Sequence, residues 1–202
     1  HGSFRSFFDY SGGVFADFWC HIADVLFMSL APAGLSSVDA RGEVPSDGIA
    51  DTPKWIDADF AFDGLDVHWT MAQFVSALGQ VPGAAAMSIG AHFEGSNGTL
   101  TCDYKNRIIR IGKEAVGDLP DVPVTLPRSP GHQRNFLDAV KSRGLPESNL
   151  PYARKMTLPM HLALASFRLK RKLTWDSAKE EVVGDPAANF LLARNSRKPF
   201  DW

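Results

Sequence analysis

Cysteine is scarce here: Cys20 and Cys102 are the only two in 202 residues, far apart and in no C-x-x-C pair. That argues against a disulfide framework and a cysteine zinc site, and it predicts two buried free thiols. A surplus of one charge is lacking too. Lys and Arg total 21 against 23 Asp and Glu, a net charge of -2, so no basic stripe follows a phosphate backbone and no nucleic-acid partner is expected. No apolar run approaches the ~20 residues of a membrane span. The best candidate, Val14 to Leu30, is broken by Asp17, His21 and Asp24; it reads as a buried helix, and no membrane partner is expected. No G-x-G-x-x-G turn lies between a strand and a helix, so the sequence shows no dinucleotide fold. No Met, basic segment or signal-like stretch opens the chain, and the expectation is a chain that starts inside a longer protein. Its compartment stays open between cytoplasm and periplasm.

What is present suits one α+β domain with its own core, since 45% of residues are apolar and 22% charged. Gly12 to Leu30 reads as a long helix, entered through Gly12-Gly13, closed by Ala31-Pro32-Ala33-Gly34, and apolar enough to predict burial on most of its surface. Leu35 to Val44, Trp55 to Phe62 and Leu65 to Ala72 alternate apolar and polar residues, with Asp63-Gly64 as a tight hairpin. Further strands are expected at Ala86 to Phe93, Gly98 to Tyr104 and Ile108 to Gly112, while Val75 to Pro82 is ambiguous. Four prolines between Pro120 and Pro130 predict an extended connector. Helices then return at Gly131 to Ser142 and Asn149 to Lys172, and the tail after Thr174 is expected to wrap the surface apart from a short helix near Pro186 to Leu192. A helix, a run of strands and then helices predict an open, mostly antiparallel sheet with helices packed on one face.

The strongest chemical signal is Asp17-Phe18-Trp19-Cys20-His21-Ile22-Ala23-Asp24. At about 100° per residue, Asp17, His21 and Asp24 fall within roughly 60° of one another on an otherwise apolar helix. A carboxylate one turn from an imidazole can orient the ring and tune its proton affinity, as a general acid or base requires. Spacing alone leaves a satisfied structural Asp/His network equally open. A metal site is not expected, since no second histidine pair has ligand spacing. Arg5 and Tyr10, just before the helix, are candidate hydrogen-bonding groups for a polyol. His161 reads as a core histidine, and His68 and His92 as strand residues facing solvent or the sheet. The five tryptophans, Trp19, Trp55, Trp69, Trp175 and Trp202, suit core packing better than a sugar-stacking platform.

The residues around that stripe carry a resemblance. Phe4-Arg5-Ser6-Phe7-Phe8-Asp9-Tyr10-Ser11-Gly12-Gly13, then Ala16-Asp17 and His21-Ile22-Ala23-Asp24, resembles the stretch of Gfo/Idh/MocA oxidoreductases that opens their second domain and holds a D-x-x-x-H pair. Asp51-Thr52-Pro53, Phe93 to Leu100, His132 to Arg143, His161-Leu162, Arg168, Lys172 to Asp176 and Asp185 to Leu192 are similar to later landmarks of that family. The resemblance covers nearly the whole chain. It implies a C-terminal substrate-binding and oligomerisation domain over residues 1–202, with the dihydrodipicolinate-reductase-like C-terminal fold and with the N-terminal Rossmann domain absent from this chain. It also implies an NAD(P)-dependent sugar or polyol oxidoreductase in which His21 is the acid/base, Asp17 its partner, and Asp24, Arg5 and Tyr10 substrate-binding groups. NAD or NADP would serve the full-length protein, with no cofactor expected in this chain alone, and a homo-oligomer would form through the sheet. Two departures stand out: Phe18-Trp19 replaces the Trp-Gly of many relatives, and the family's Glu-Lys-Pro triplet, which supplies a lysine from the nucleotide domain, is missing.

A different function class remains open on the same sequence. An open sheet with one uncovered face suits a non-catalytic binding or assembly module. An open pocket around Asp17 and His21 would favour the enzyme, and enclosure by the domain's own side chains would count against it.

Overall fold

The computed structural model describes residues 2–71, 81–84, 87–117, 123–193 and 198–199. Most of the ambiguous stretch Val75 to Pro82, the expected strand start at Ala86, part of the proline connector and Trp202 lie outside the described residues. A 3-10 turn (Gly2–Ser6) leads into α1 (Gly13–Leu30), followed by β1 (Ser37–Glu43), β2 (Trp55–Phe62) and β3 (Leu65–Thr70). β4 (Ala91–Gly95), β5 (Gly98–Cys102), β6 (Arg107–Ile111) and β7 (Glu114–Val116) come next, then α2 (His132–Ser142), α3 (Leu150–Leu169), β8 (Leu173–Asp176), β9 (Glu181–Val182) and α4 (Pro186–Leu191).

The alternation in β2 shows why these strands form a one-sided sheet. Ile56, Ala58 and Phe60 are buried on one face while Asp57 and Asp59 point to the other. In register with them, Asp39 and Arg41 of β1 and His68 and Thr70 of β3 extend the polar face. The first sheet runs β3-β2-β1-β8-β9 and a second runs β4-β5-β6-β7, every pair antiparallel. The polypeptide is thus an α+β chain with open antiparallel sheets, its long helices against the apolar side of the first.

The core lies between that sheet and the helix pair α1 and α3. Phe15 and Trp19 of α1 pack their rings against Trp69 and Phe60, and Phe27 packs against Phe62. The Trp19 indole N–H donates to the Met156 carbonyl at 2.8 Å, so this large side chain is buried with its one polar atom satisfied and ties α1 to α3. Gly12 and Gly13 permit the approach: a Cβ on Gly12 would meet Leu164 at 2.6 Å, and Gly13, at φ +78°, sits 2.9 Å from the Thr52 side chain on the same test. Ser166, fully buried on α3, accepts from the Ala40 N–H of β1 at 2.9 Å and donates to the Arg171 carbonyl at 2.7 Å.

Several expectations need correction. α1 buries only one stripe, Gly13, Phe15, Trp19, Ala23 and Phe27, leaving Val14, Phe18, Met28 and Leu30 exposed. Its 18 residues are long and apolar enough to cross a membrane by length and composition, contrary to the reading of the bare sequence; the buried stripe packs as a core helix does. Cys20 is exposed and Cys102 half-buried, both free. His161 is exposed as well. The segment after Lys172 does not simply wrap the surface: β8 pairs with β1 and sends Leu173 and Trp175 into the core. β4 begins at Ala91 rather than Ala86, and β7, after the Gly112 turn, was not foreseen. α3 stops at Leu169, where Lys170 takes a left-handed cap.

Candidate functional site

The N-terminal segment is stitched to the loop before β2. The Ser6 carbonyl accepts from the N–H groups of Asp51 and Thr52, the Asp51 carboxylate accepts from the Phe8 N–H at 2.7 Å, and the Thr52 hydroxyl donates to the Arg5 carbonyl. This lays Arg5 across the first turns of α1, where its Nε donates to Asp17 Oδ2 at 3.1 Å; both side chains are 42% exposed. Arg5 also stacks over the Phe4 ring, 4.9 Å from its centroid.

Asp17, His21 and Asp24 share one side of α1, as the helical period requires, but not as a hydrogen-bonded trio. Asp17 is bonded to Arg5, and no hydrogen bond joins it to His21 among the described residues. His21 is exposed, its ring 5.9 Å from that of Phe18. Asp24 is half-buried and accepts a 2.5 Å hydrogen bond from the Tyr152 hydroxyl of α3, which burial and then this carboxylate push far above the ordinary tyrosine range. Partial burial and then the Asp24 charge also raise the Cys20 thiol, which keeps it protonated and poorly nucleophilic. Tyr10 is 72% exposed, its ring edge-on to Phe7. The structure therefore brings Arg5 to Asp17 and leaves Tyr10 apart.

Tyr152 is the participant that sequence reasoning missed. It lies 128 residues from Asp24, and no local spacing signals it; only the packing of α3 on α1 brings the two together.

The exposed side of α1 has its own order. Val14, Phe18, His21, Val25 and Met28 recur at alternating intervals of four and three and form a second stripe, open along much of its length, with His21 at its centre. The arrangement is an open surface rather than a pocket, so the pocket test stated for the sequence is met in neither form.

Two other constellations bear on chemistry. His92 Nδ1 lies 2.7 Å from Thr101 Oγ1 and its Nε2 lies 3.2 Å from Glu94 Oε1, the order hydroxyl, imidazole, carboxylate of an acyl-transfer site. Thr101 is 1% exposed, so no substrate carbonyl reaches its oxygen, and the trio is a satisfied cross-strand network. Between α3 and the β8–β9 turn runs a groove of about 1000 Å³ lined by Leu158, His161, Trp175 and Leu192 and bridged by the Arg154–Glu180 ion pair at 2.7 Å. Among the described residues, no group of three or more His, Cys, Asp or Glu side chains is arranged to hold a metal.

An NAD-binding protein from Listeria innocua aligns with a TM-score of 0.60 at 16% identity, covering 86% of this chain and 51% of that one. An aldose-aldose oxidoreductase from Caulobacter crescentus, complexed with glycerol, gives 0.58 at 13% identity over 85% of this chain and 50% of that one. An oxidoreductase from Agrobacterium radiobacter in complex with NAD+, L-tartaric acid and magnesium gives 0.50 at 13% identity over 75% and 46%. These superpositions establish a shared fold, and the chain spans about half the length of the solved structures it matches. No curated protein matches it in sequence. The sequence profile described as "Oxidoreductase family, C-terminal alpha/beta domain" matches residues 1–202, and the chain belongs to this Gfo/Idh/MocA oxidoreductase family, in its C-terminal domain.

Proposed function

We propose that this chain is the substrate-facing half of an NAD(P)-dependent oxidoreductase acting on a CH–OH group of a sugar or polyol, completed by a nucleotide-binding half of the same polypeptide. The family match over residues 1–202, joined to an imidazole between two carboxylates on one side of α1, carries the reading. The neighbours solved with glycerol, and with NAD+ and L-tartaric acid, support the ligand classes by analogy.

His21 is the group that exchanges a proton with the substrate hydroxyl, and its exposure leaves a ring nitrogen within reach of one. Asp17 is oriented by Arg5, so Arg5 acts through Asp17 rather than as the direct polyol ligand first expected. Asp24, fixed by Tyr152, keeps Oδ2 for a substrate hydroxyl or for His21. Tyr10, unburied, is free to meet a polyol. α1 is entered from a 3-10 turn and loop rather than from a strand through a Gly-rich turn. The nucleotide, which supplies the hydride chemistry where it is bound, belongs to the other half.

Self-association through the outer sheet face is part of the same reading, and a purely assembling module is its alternative. That face carries Arg41 bonded to Asp59 at 3.1 Å, His68 to Asp59 at 2.6 Å and Thr70 to Asp57 at 2.6 Å. With these groups already paired within the chain, a second copy would pack on a polar but internally satisfied face, and any interchain ion pairs would weaken with salt.

The test begins with the mass and N-terminal sequence of the source polypeptide, an NAD(H) titration, and nucleotide reduction with a panel of polyols and aldoses. His21→Ala is expected to slow turnover by about 10²–10⁴-fold with nucleotide affinity unchanged. Full activity in that variant, or a source polypeptide that binds no NAD(H), overturns the reading.

A further inference from the structure

α2 is a helix without a core. None of its residues is buried, and its side-chain hydrogen bonds stay within residues 129–147: Asn135 accepts from the Glu147 N–H, and Ser129 bonds Glu147. Yet the helix is amphipathic, with Phe136 57% and Val140 48% exposed alongside Leu137 on one side, and Leu145 exposed just beyond its end. Phe136, Ala139, Val140, Arg143, Gly144 and Pro146 frame a hollow of about 250 Å³, room for one large apolar side chain. An 11-residue helix is marginal by itself in water, and Gly131 gives it no side-chain cap. Its stability has to come from a surface that covers the apolar side.

We propose that α2, with the turn to Pro146, is the arm by which this chain docks onto the nucleotide-binding half, which inserts an apolar side chain into the Phe136–Val140–Pro146 hollow. The proposal rests on the reading above that such a half exists. Two observations favour it over a second copy of this chain. The structural neighbours carry about as much chain again as this one spans. And the flanks of α2 are net basic: Asp138 pairs with Arg134 at 3.4 Å, leaving Lys141 and Arg143, which a two-fold contact of α2 with itself would set against one another. The covering surface is accordingly apolar at its centre and acidic at its rim.

The experiment is hydrogen exchange of the 132–142 amides in this chain alone and in the source polypeptide, with NAD(H) binding measured on the same samples. Exchange in the source polypeptide is expected to be at least about 100-fold slower than in this chain alone. Phe136→Asp with Val140→Asp should abolish that protection while leaving the thermal midpoint of this chain within about 2 °C, because neither side chain is buried in it. Equal exchange in the two samples overturns the proposal, as does a source polypeptide of only this length, or protection of this chain that rises with its own concentration and marks a second copy. Protection without NAD(H) binding upholds the docking arm and removes the oxidoreductase reading; NAD(H) binding with unchanged exchange does the reverse.

Discussion

Replacing Ser166 with Ala tests the hinge between α3 and the central strand. Pairing of β1 with β8 covers only Ser37 and Val38, so the Ala40 N–H on that edge lacks a strand partner. The Ser166 hydroxyl takes that role at 2.9 Å while donating to the Arg171 carbonyl at 2.7 Å. Ala at this position keeps the Cβ, so the loss is polar rather than a large cavity. Ala40 is 5% exposed and its N–H would be stranded, costing ~1–3 kcal/mol. Losing the bond to the Arg171 carbonyl adds the net worth of one hydrogen bond, about 1 kcal/mol. The sum is a destabilisation of about 2–4 kcal/mol. Urea unfolding followed by circular dichroism would measure it, with Ser29→Ala as the control: that hydroxyl bonds the Val25 carbonyl on the exposed side of α1, and its loss should stay within about 0.5 kcal/mol. A Ser166→Ala loss below about 0.5 kcal/mol would refute the bridging role.

Asp185 is forked by Arg171 through two 2.8 Å bonds and accepts from the Ala188 N–H, which holds its carboxyl down to about 2 from an ordinary 3.8. Because the folded value lies below the unfolded one, this contribution is complete above about pH 4 and is lost as pH falls toward 2; Asp185→Asn should remove that part of the acid dependence in thermal melts at pH 2 to 5. Tyr152 should give the last phenolate step in a 295 nm alkaline titration, absent in Tyr152→Phe and shifted to lower pH in Asp24→Asn. Gly13→Ala, which forces a Cβ onto a φ of +78° against Thr52, should cost about 1–3 kcal/mol by chemical denaturation. Arg5→Ala should change stability by less than about 1 kcal/mol, as exposed ion pairs do, while lowering His21-dependent turnover on the proposed reading; a large loss of stability would make Arg5 structural instead.

The elements legible in the sequence were those with a long, clean period. β2 and β3 read correctly because WIDADFAF and LDVHWT alternate about a two-residue turn, and α1 because Gly12-Gly13 and Ala31-Pro32-Ala33-Gly34 punctuate an apolar run; that Leu164 and Thr52 crowd the glycines is a tertiary fact. β8 was not legible: LTWD is too short to show a period, and it becomes a strand because Leu173 and Trp175 fill the core beside β1. The stripe of Asp17, His21 and Asp24 was legible as a stripe, since the helical period fixes it. Its hydrogen bonds were not, because Arg5 reaches Asp17 only through the clamp on Asp51 and Thr52, and Tyr152 reaches Asp24 only through tertiary packing.

The error about α1 bears on function. Apolarity tells that a surface is to be covered and is silent about which part of a polypeptide covers it. α1 has one stripe, through Phe15, Trp19 and Phe27, met by this chain's own sheet and α3, and a second, through Val14, Phe18, His21, Val25 and Met28, that is largely open. On the proposed reading the second stripe places the proton-exchanging group inside a surface that the other half closes. Because Arg5 already engages Asp17 within this chain, that pair is in place before any cover arrives, and the imidazole is the group of the open stripe able to exchange a proton with a hydroxyl held beneath the cover.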